Sequence, residues 1–330
     1  MSEPGSAVVI ERHGNPAVLT RLVGWAIIAS LAAFLINNIL IEGFGLGSAG
    51  DLFSGDMSGL LPFLVYVAFI GAGVLLVLRS ADTSLRWDAQ RIHRINVYII
   101  RGCYFAILLV GLFDIAISFM RVEKIFGLFL SETWVRYFER PDYVGTYVHF
   151  PLIILGFVIA AFSRTLGFVW LALAIIIAEL SIVITRFVFS YEQAFMGDLV
   201  RYWYSALFLL ASAYTLFEEG HVRVDIVYSN FGPRAKGVAN VVGIYLLGMP
   251  TCVAILAVGF SGTQSIINGP VMHFEITQTG SIGLFVKYQM AAFLGIFAAT
   301  MLIQFVSMLF ESVADKRGEP GHRSIDVFAQ

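Results

Sequence analysis

The sequence predicts an all-α integral membrane protein with about eight transmembrane helices, an interfacial amphipathic helix and both termini in the cytoplasm. Three observations lead to this fold class. Hydrophobic residues make up 58% of the 330 residues and charged residues 13%, roughly half the charged share of soluble domains. Eight apolar runs are long enough to cross the roughly 30 Å hydrocarbon layer of a bilayer. Basic residues concentrate in alternate loops, which indicates the orientation.

The predicted crossings follow one another along the chain, and the fourth and sixth are short. They cover approximately Leu22–Ile41, Leu60–Leu78, Val97–Met120, Tyr147–Ser163, Leu166–Ser190, Tyr202–Phe217, Gly237–Phe260 and Gly283–Phe310. With the N-terminus in the cytoplasm, the cytoplasmic segments hold twelve of the 21 lysines and arginines, and the outer loops hold four. Because cytoplasmic loops are enriched in these residues, both termini are predicted to be cytoplasmic.

The four outer basic residues all lie in one loop, "RVEKIFGLFLSETWVRYFERPD", residues 121–142. Its apolar residues recur at close to helical spacing, and four acidic residues balance its charge. Trp134 and Tyr137 suit the depth of lipid headgroups. The pattern predicts an amphipathic helix in the outer interface; the alternative is an ordinary water-exposed loop helix.

Ionisable residues inside the membrane are costly and are therefore functional candidates. Glu179 lies near the middle of the fifth crossing, and Arg186 follows two turns later on the same face. Asp114 lies towards the outer side of the third crossing. Each fits either an ion or proton relay or a polar contact with a neighbouring helix or subunit. Arg21 lies near a helix end, from which its side chain is expected to reach the interface.

Other classes of protein find little support in the residues. Cys103 and Cys252 lie 149 positions apart in apolar segments, which indicates neither a disulfide framework nor a metal site. Of six histidines, His149 alone falls in an apolar segment, so a haem site between helices is disfavoured. No hydrolase or phosphate-binding motif is present, and the net charge of −2 argues against nucleic-acid binding. We expect no enzyme activity, cofactor or metal. We also find no signal peptide pattern, so we expect the first crossing to be retained.

The stretch "EEGHVRVDIVYSNFGPRAKG", residues 218–237, is the most polar run in the second half. Polar His221, Arg223 and Asp225 alternate with apolar residues, which fits an ordered extended segment. Pro233 and Arg234 then fit the first turn of a helix. This stretch, with "IVITRFVFS" and "MGDLVRYWYSALFLLASAYTLF" before it, resembles the small membrane subunit of tripartite ATP-independent periplasmic (TRAP) transporters, the DctQ-like family. The residues that match the family pattern are Arg186, Asp198, Arg201, Ala213, His221, Arg223 and Asp225.

The resemblance covers residues 164–316 and implies a DctQ-like small permease domain with four crossings. It leaves a cytoplasmic tail at 1–17, an N-terminal extension with four crossings at 18–163 and a cytoplasmic tail at 317–330. It implies a scaffold subunit in the bacterial inner membrane that works with a large permease and a periplasmic binding protein to import organic acids with a sodium gradient. On this view Glu179, Arg186, Asp198 and Arg201 are scaffold or interface contacts, and Arg223 and Asp225 order a cytoplasmic bend. The alternative is a stand-alone channel or transporter that uses Glu179 and Asp114.

Overall fold

The protein is all-α, as predicted, in the part of the chain that the computed structural model describes: residues 11–191, 193–218, 228–276 and 283–321. Three of the ten helices in these residues have a π-helical turn: two of them in the interior, and the first helix at its end, Ile39–Gly43. The helices are α1 Val18–Asn38, α2 Leu60–Arg79, α3 Leu85–Val122, α4 Glu132–Phe138, α5 (Pro141–Val144, the π turn Gly145–His149 and Phe150–Phe162), α6 Phe168–Val188, α7 Ala194–Phe217, α8 (Pro233–Gly243, the π turn Ile244–Gly248 and Met249–Gly259), α9 Asn268–Met272 and α10 Lys287–Arg317.

Seven of these helices are long and apolar enough to cross a membrane: α1, α2, α3, α5, α6, α8 and α10. The sixth predicted crossing corresponds to α7, which has 24 residues but is not among these seven helices. Its sequence carries Arg201 and a Tyr-Trp-Tyr run, with several Ser and Thr residues. The count of eight crossings and the cytoplasmic termini therefore stay predictions.

The outer loop predicted as an amphipathic helix is helical over a shorter length than its pattern indicates. It contains a 3-10 turn, Ile125–Leu128, and the seven-residue α4. Phe126 is buried with Val144 and Phe285, while Trp134 and Tyr137 are exposed. One apolar residue of the loop thus anchors it to the protein, and its placement at the lipid interface stays a prediction.

The chain divides into two compact units that do not follow the predicted domain boundaries. The first unit comprises Met1–Ile95, Thr215–Ala254 and Met301–Gln330. Within it α2 packs closely on α1, since a Cβ at Gly73 would lie 3.3 Å from the carbonyl oxygen of Trp25. Ser307 of α10 donates to the carbonyl oxygen of Ala89 in α3 at 2.8 Å.

The second unit comprises Asn96–Tyr214 and Ile255–Thr300. Within it α3 and α5 approach each other at Gly156, where a Cβ would lie 2.4 Å from the backbone nitrogen of Ala106. Asn96 of α3 donates to the carbonyl oxygen of Thr300 in α10 at 3.0 Å. Each unit therefore combines residues of the predicted extension with residues of the predicted DctQ-like segment, and that segmentation stays a prediction.

The membrane-length helices differ widely in burial. In the apolar stretch of α10, 61% of residues are buried inside the protein, and in that of α3, 50%. The corresponding share for α6 is 11%. The fold therefore surrounds α10 with its own chain and leaves most of α6 uncovered.

Candidate functional site

Glu179 lies on the uncovered part of α6. Its side chain is exposed, and none of the described residues forms a hydrogen bond or ion pair with its carboxylate. A charged side chain at the centre of a bilayer costs roughly 3 kcal/mol on insertion scales. Glu179 is therefore a polar group that the described part of this chain leaves unsatisfied within an apolar helix.

Helical spacing explains why α6 exposes so much of its surface. Leu171 and Ala178, seven residues apart, are its buried residues and mark one narrow face. The other side carries large exposed apolar residues. These include Val169, Leu173, Ile176, Ile177, Leu180, Val183, Ile184, Phe187 and Val188.

Arg186 is exposed near the end of α6, on the same flank of the helix as Glu179. Seven residues separate them, a rise of about 10.5 Å, which exceeds the length of a direct ion pair. The two residues therefore share one face of α6, as the sequence predicted, but they are too far apart along the helix to form a direct ion pair with each other.

Asp198 and Arg201 lie in the first two turns of α7. The carboxylate of Asp198 is buried and lies 3.8 Å from the guanidinium of Arg201, which is 78% exposed. Such an ion pair with one solvent-exposed member contributes little to stability. The role of both residues as interface contacts stays a prediction.

The remaining family-motif residues divide between described and undescribed parts of the chain. His221, Arg223 and Asp225 lie outside the described residues. Pro233 begins α8 as predicted, with Gly232 as the preceding cap residue, and Arg234 follows as an exposed residue. The predicted helix start is therefore present.

Asp114 has surroundings very different from those of Glu179. Its carboxylate is fully buried, and its Oδ2 accepts a hydrogen bond of 2.8 Å from the backbone N–H of Phe285. Its Oδ1 lies 3.3 Å from Nε2 of His149, which is also fully buried. Because its carboxylate accepts from the backbone amide of Phe285, Asp114 helps to fix the chain just before α10.

A chain of hydrogen bonds continues from His149 into α10 and α7. The Nδ1 of His149 lies 2.9 Å from the hydroxyl of Tyr288, which accepts a bond from Nε2 of Gln289. Tyr202 in turn donates its hydroxyl to Oε1 of Gln289. The hydroxyl of Tyr288 accepts from Gln289 and keeps its own O–H to donate to Nδ1 of His149. On the other side of the ring, Nε2 of His149 and Oδ1 of Asp114 approach to 3.3 Å without meeting hydrogen-bond geometry.

Arg121 lies beside this network at the end of α3. It donates to the carbonyl oxygen of Gly283 at 2.6 Å, and its guanidinium stands 3.8 Å from the ring centroid of Phe285. The segment that precedes α10 is therefore held by a carboxylate and a guanidinium from α3, and the first turn of α10 by a histidine from α5. Sequence reasoning identified Asp114 but not this set of partners.

Two further clusters satisfy charges within the first unit. Arg21 is fully buried and donates from Nε to Asp88 Oδ2 at 2.8 Å, and the indole of Trp25 donates to the same oxygen at 2.8 Å. The expectation that Arg21 reaches the interface is therefore wrong. Asp88, 67 positions later and in α3, provides a counter-charge inside the protein.

The second cluster surrounds Arg86 of α3. Its guanidinium forms ion pairs of 2.8 Å with Glu311 and with Asp315 of α10. It also donates to the carbonyl oxygens of Glu319 and Pro320. Burial raises the pKa of the Glu319 carboxyl, while the positive charges of Arg317 and Arg86 oppose that shift. Arg86 therefore holds the end of α10 through charged and backbone groups together.

No three His, Cys, Asp or Glu side chains converge in a metal-binding group in the described ranges. Cys103 and Cys252 are both buried and unpaired with each other.

Comparison with known proteins identifies part of the chain. Residues 173–315 match the family described as tripartite ATP-independent periplasmic transporters, DctQ component. The match confirms the resemblance predicted from the sequence, and it covers less than half of the chain. Searches of curated proteins and of solved structures gave no match.

Proposed function

We propose that this chain, whose residues 173–315 match the DctQ component family of TRAP transporters, serves such a transporter as its small permease subunit and fixed membrane scaffold. In this proposal a large permease carries the substrate, and a periplasmic binding protein delivers it. The transporter imports organic acids with a sodium gradient across the bacterial inner membrane. The chain itself holds no cargo.

The family match is the observation that carries this proposal, and the geometry supports it. The buried ionisable groups of the described spans are directed at each other or at the backbone. Asp114 accepts from a backbone amide and faces His149, and Arg21 is paired with Asp88. Groups arranged in this way stabilise a frame and leave little capacity to coordinate a solute.

The second candidate function is a stand-alone channel or transporter that uses Glu179 and Asp114. It requires the two carboxylates to serve one path. Asp114 is fully buried against Phe285 and His149, whereas Glu179 is exposed on α6 and shares no partner with it among the described residues. The geometry therefore favours the scaffold over this alternative.

Reconstitution tests the proposal directly. We expect the purified chain to co-purify with its large permease and to give no organic-acid uptake in vesicles that contain this chain alone. Uptake should require both membrane subunits, the binding protein and an inward sodium gradient. Sodium-dependent uptake by this chain alone, abolished by E179Q, would instead support the stand-alone transporter.

The role of residues 1–163 needs point variants rather than a deletion. Asp114 and Arg121 of that region contact residues 283–285, and Arg86 contacts Glu311 and Asp315. Removing the region would expose these buried groups of the DctQ-like segment. A truncated chain would therefore report on folding and not on the contribution of the extension to transport.

A further inference from the structure

We propose that the flank of α6 around Glu179 is the surface on which a membrane-spanning helix of the large permease docks, and that this helix places a basic side chain on the Glu179 carboxylate. This inference rests on the proposed function and adds to it the docking surface and the chemistry of the partner. Glu179, Ile176, Val183 and Arg186 together form the Glu179 flank of α6.

The Glu179 flank has the geometry of a helix-packing surface. Ile176 and Val183 lie three residues before and four residues after Glu179, so all three share one side of α6. Ile176 is 63% exposed and Val183 is 49% exposed. A second helix along this flank would contact the apolar residues and cover the carboxylate between them.

Charge indicates the nature of the occupant. An ionised carboxylate in hydrocarbon is unfavourable unless it gains a counter-charge or hydrogen-bond donors, and no described residue supplies these to Glu179. Lipid tails offer neither. A protein helix that carries Lys or Arg at membrane depth would satisfy the carboxylate and would itself be satisfied by it.

A second copy of this chain fits the flank less well. Two copies related by a two-fold axis bring the same surface together, so two Glu179 carboxylates would approach each other. Like charges repel, and neither copy offers an unengaged base on this flank, because Arg186 already has interactions of its own. A different chain with a basic residue avoids this conflict.

The flank also differs from every surface that the chain itself covers. Helix α10 is covered by α3, whose residues Asn96, Ala89 and Arg86 bind it. The corresponding stretch of α6 is 11% buried. The DctQ-like segment therefore has α6 available for docking.

Co-purification of the tagged chain with the large permease tests the charge. We expect E179L to lower the amount of captured permease about tenfold and E179Q about threefold, because an amide keeps hydrogen bonding but loses the charge. The matched control is E132L, which removes an equally ionisable but outward-facing side chain that is 93% exposed in α4. E132L should capture as much permease as the unmodified chain. Size-exclusion profiles of the isolated variants check that each is folded.

Site-specific photo-crosslinking tests the surface. Single cysteines at Ile176 and Val183 would carry a photoactivatable maleimide, with Val67 of α2, which is 52% exposed, as the control position. Cys103 and Cys252 are buried and should give little background labelling. We expect crosslinks to the permease from positions 176 and 183 and none from position 67.

The outcomes separate this inference from the proposed function. If the unmodified chain captures no permease, the scaffold function and the docking surface both fail. If the E179L variant captures as much permease as the unmodified chain, the docking surface is wrong and the function stands. The same conclusion follows if the permease crosslinks to position 67 but not to positions 176 and 183. Normal capture by E179Q with loss in E179L would overturn the basic partner. Crosslinks between two copies of this chain at 176 and 183 would show a self-associating surface instead.

Discussion

Helices α6 and α10 belong to the same DctQ-like segment but differ in whether this chain supplies partners for their polar residues. The residues of α10 and of the segment just before it face α3 and α5, and their polar groups are bonded there. Examples are the amide of Phe285 on Asp114 and the carboxylates of Glu311 and Asp315 on Arg86. On α6 the carboxylate of Glu179 has no partner in the described chain. Polar groups on α10 therefore maintain the fold of this chain, whereas Glu179 remains available to another molecule.

The largest effect expected from this difference follows removal of Arg86. R86A would leave Glu311 and Asp315 without their common guanidinium in a largely buried site, at a cost of about 3–5 kcal/mol. Denaturant-induced unfolding in detergent, followed by circular dichroism, measures the change. The control is R136A, since Arg136 lies 3.9 Å from Glu132 with both side chains exposed, and its loss should cost well under ~1 kcal/mol. Equal effects of the two variants would contradict the role given to α10.

The next effect concerns Asp114. D114A leaves the buried amide of Phe285 without an acceptor, so we expect unfolding to become about 2–3 kcal/mol easier. D114N keeps an oxygen acceptor and should lose about half as much. The same unfolding measurement compares them. A D114A variant as stable as the unmodified protein would show that the start of α10 does not depend on α3.

A smaller effect tests packing in place of polar contact. G156A puts a Cβ 2.4 Å from the backbone of Ala106, which must shift α5 away from α3, at a cost of about 1–3 kcal/mol. G71A on α2 is the matched control, because a Cβ there meets no atom within 4 Å. Its helix propensity should make it neutral or slightly stabilising. Thermal unfolding midpoints of the two variants should therefore shift in different directions or by clearly different amounts.

The smallest effect is expected at Glu179 itself. In the isolated chain E179Q should change the free energy of unfolding by less than ~0.5 kcal/mol, because no described contact is lost. The measurement is made without any partner present. A destabilisation comparable to that of D114A would mean that Glu179 serves the fold and would remove the contrast between α6 and α10.

Much of this architecture could be predicted from local sequence, since apolar run length determines which segments can cross a membrane. The same reasoning identified Glu179 and Asp114 as unusual. It could not distinguish them, because the difference lies in partners distant in sequence. Phe285 is 171 positions from Asp114. Arg21 was misjudged for the same reason: its counter-charge, Asp88, is 67 positions away and becomes a neighbour only in the folded chain.

Helix α3 is too long to lie entirely within the acyl tails of a bilayer. Its 38 residues span about 57 Å, and even a 40° inclination leaves about 44 Å along the bilayer normal, more than the roughly 30 Å occupied by acyl tails. At least one end therefore extends beyond the acyl tails, into the headgroup layer at that inclination and into water at smaller ones. A hydrophilic label attached at that end should be accessible to soluble quenchers in an intact bilayer. The extent of quenching would then report the depth of the protein in the membrane.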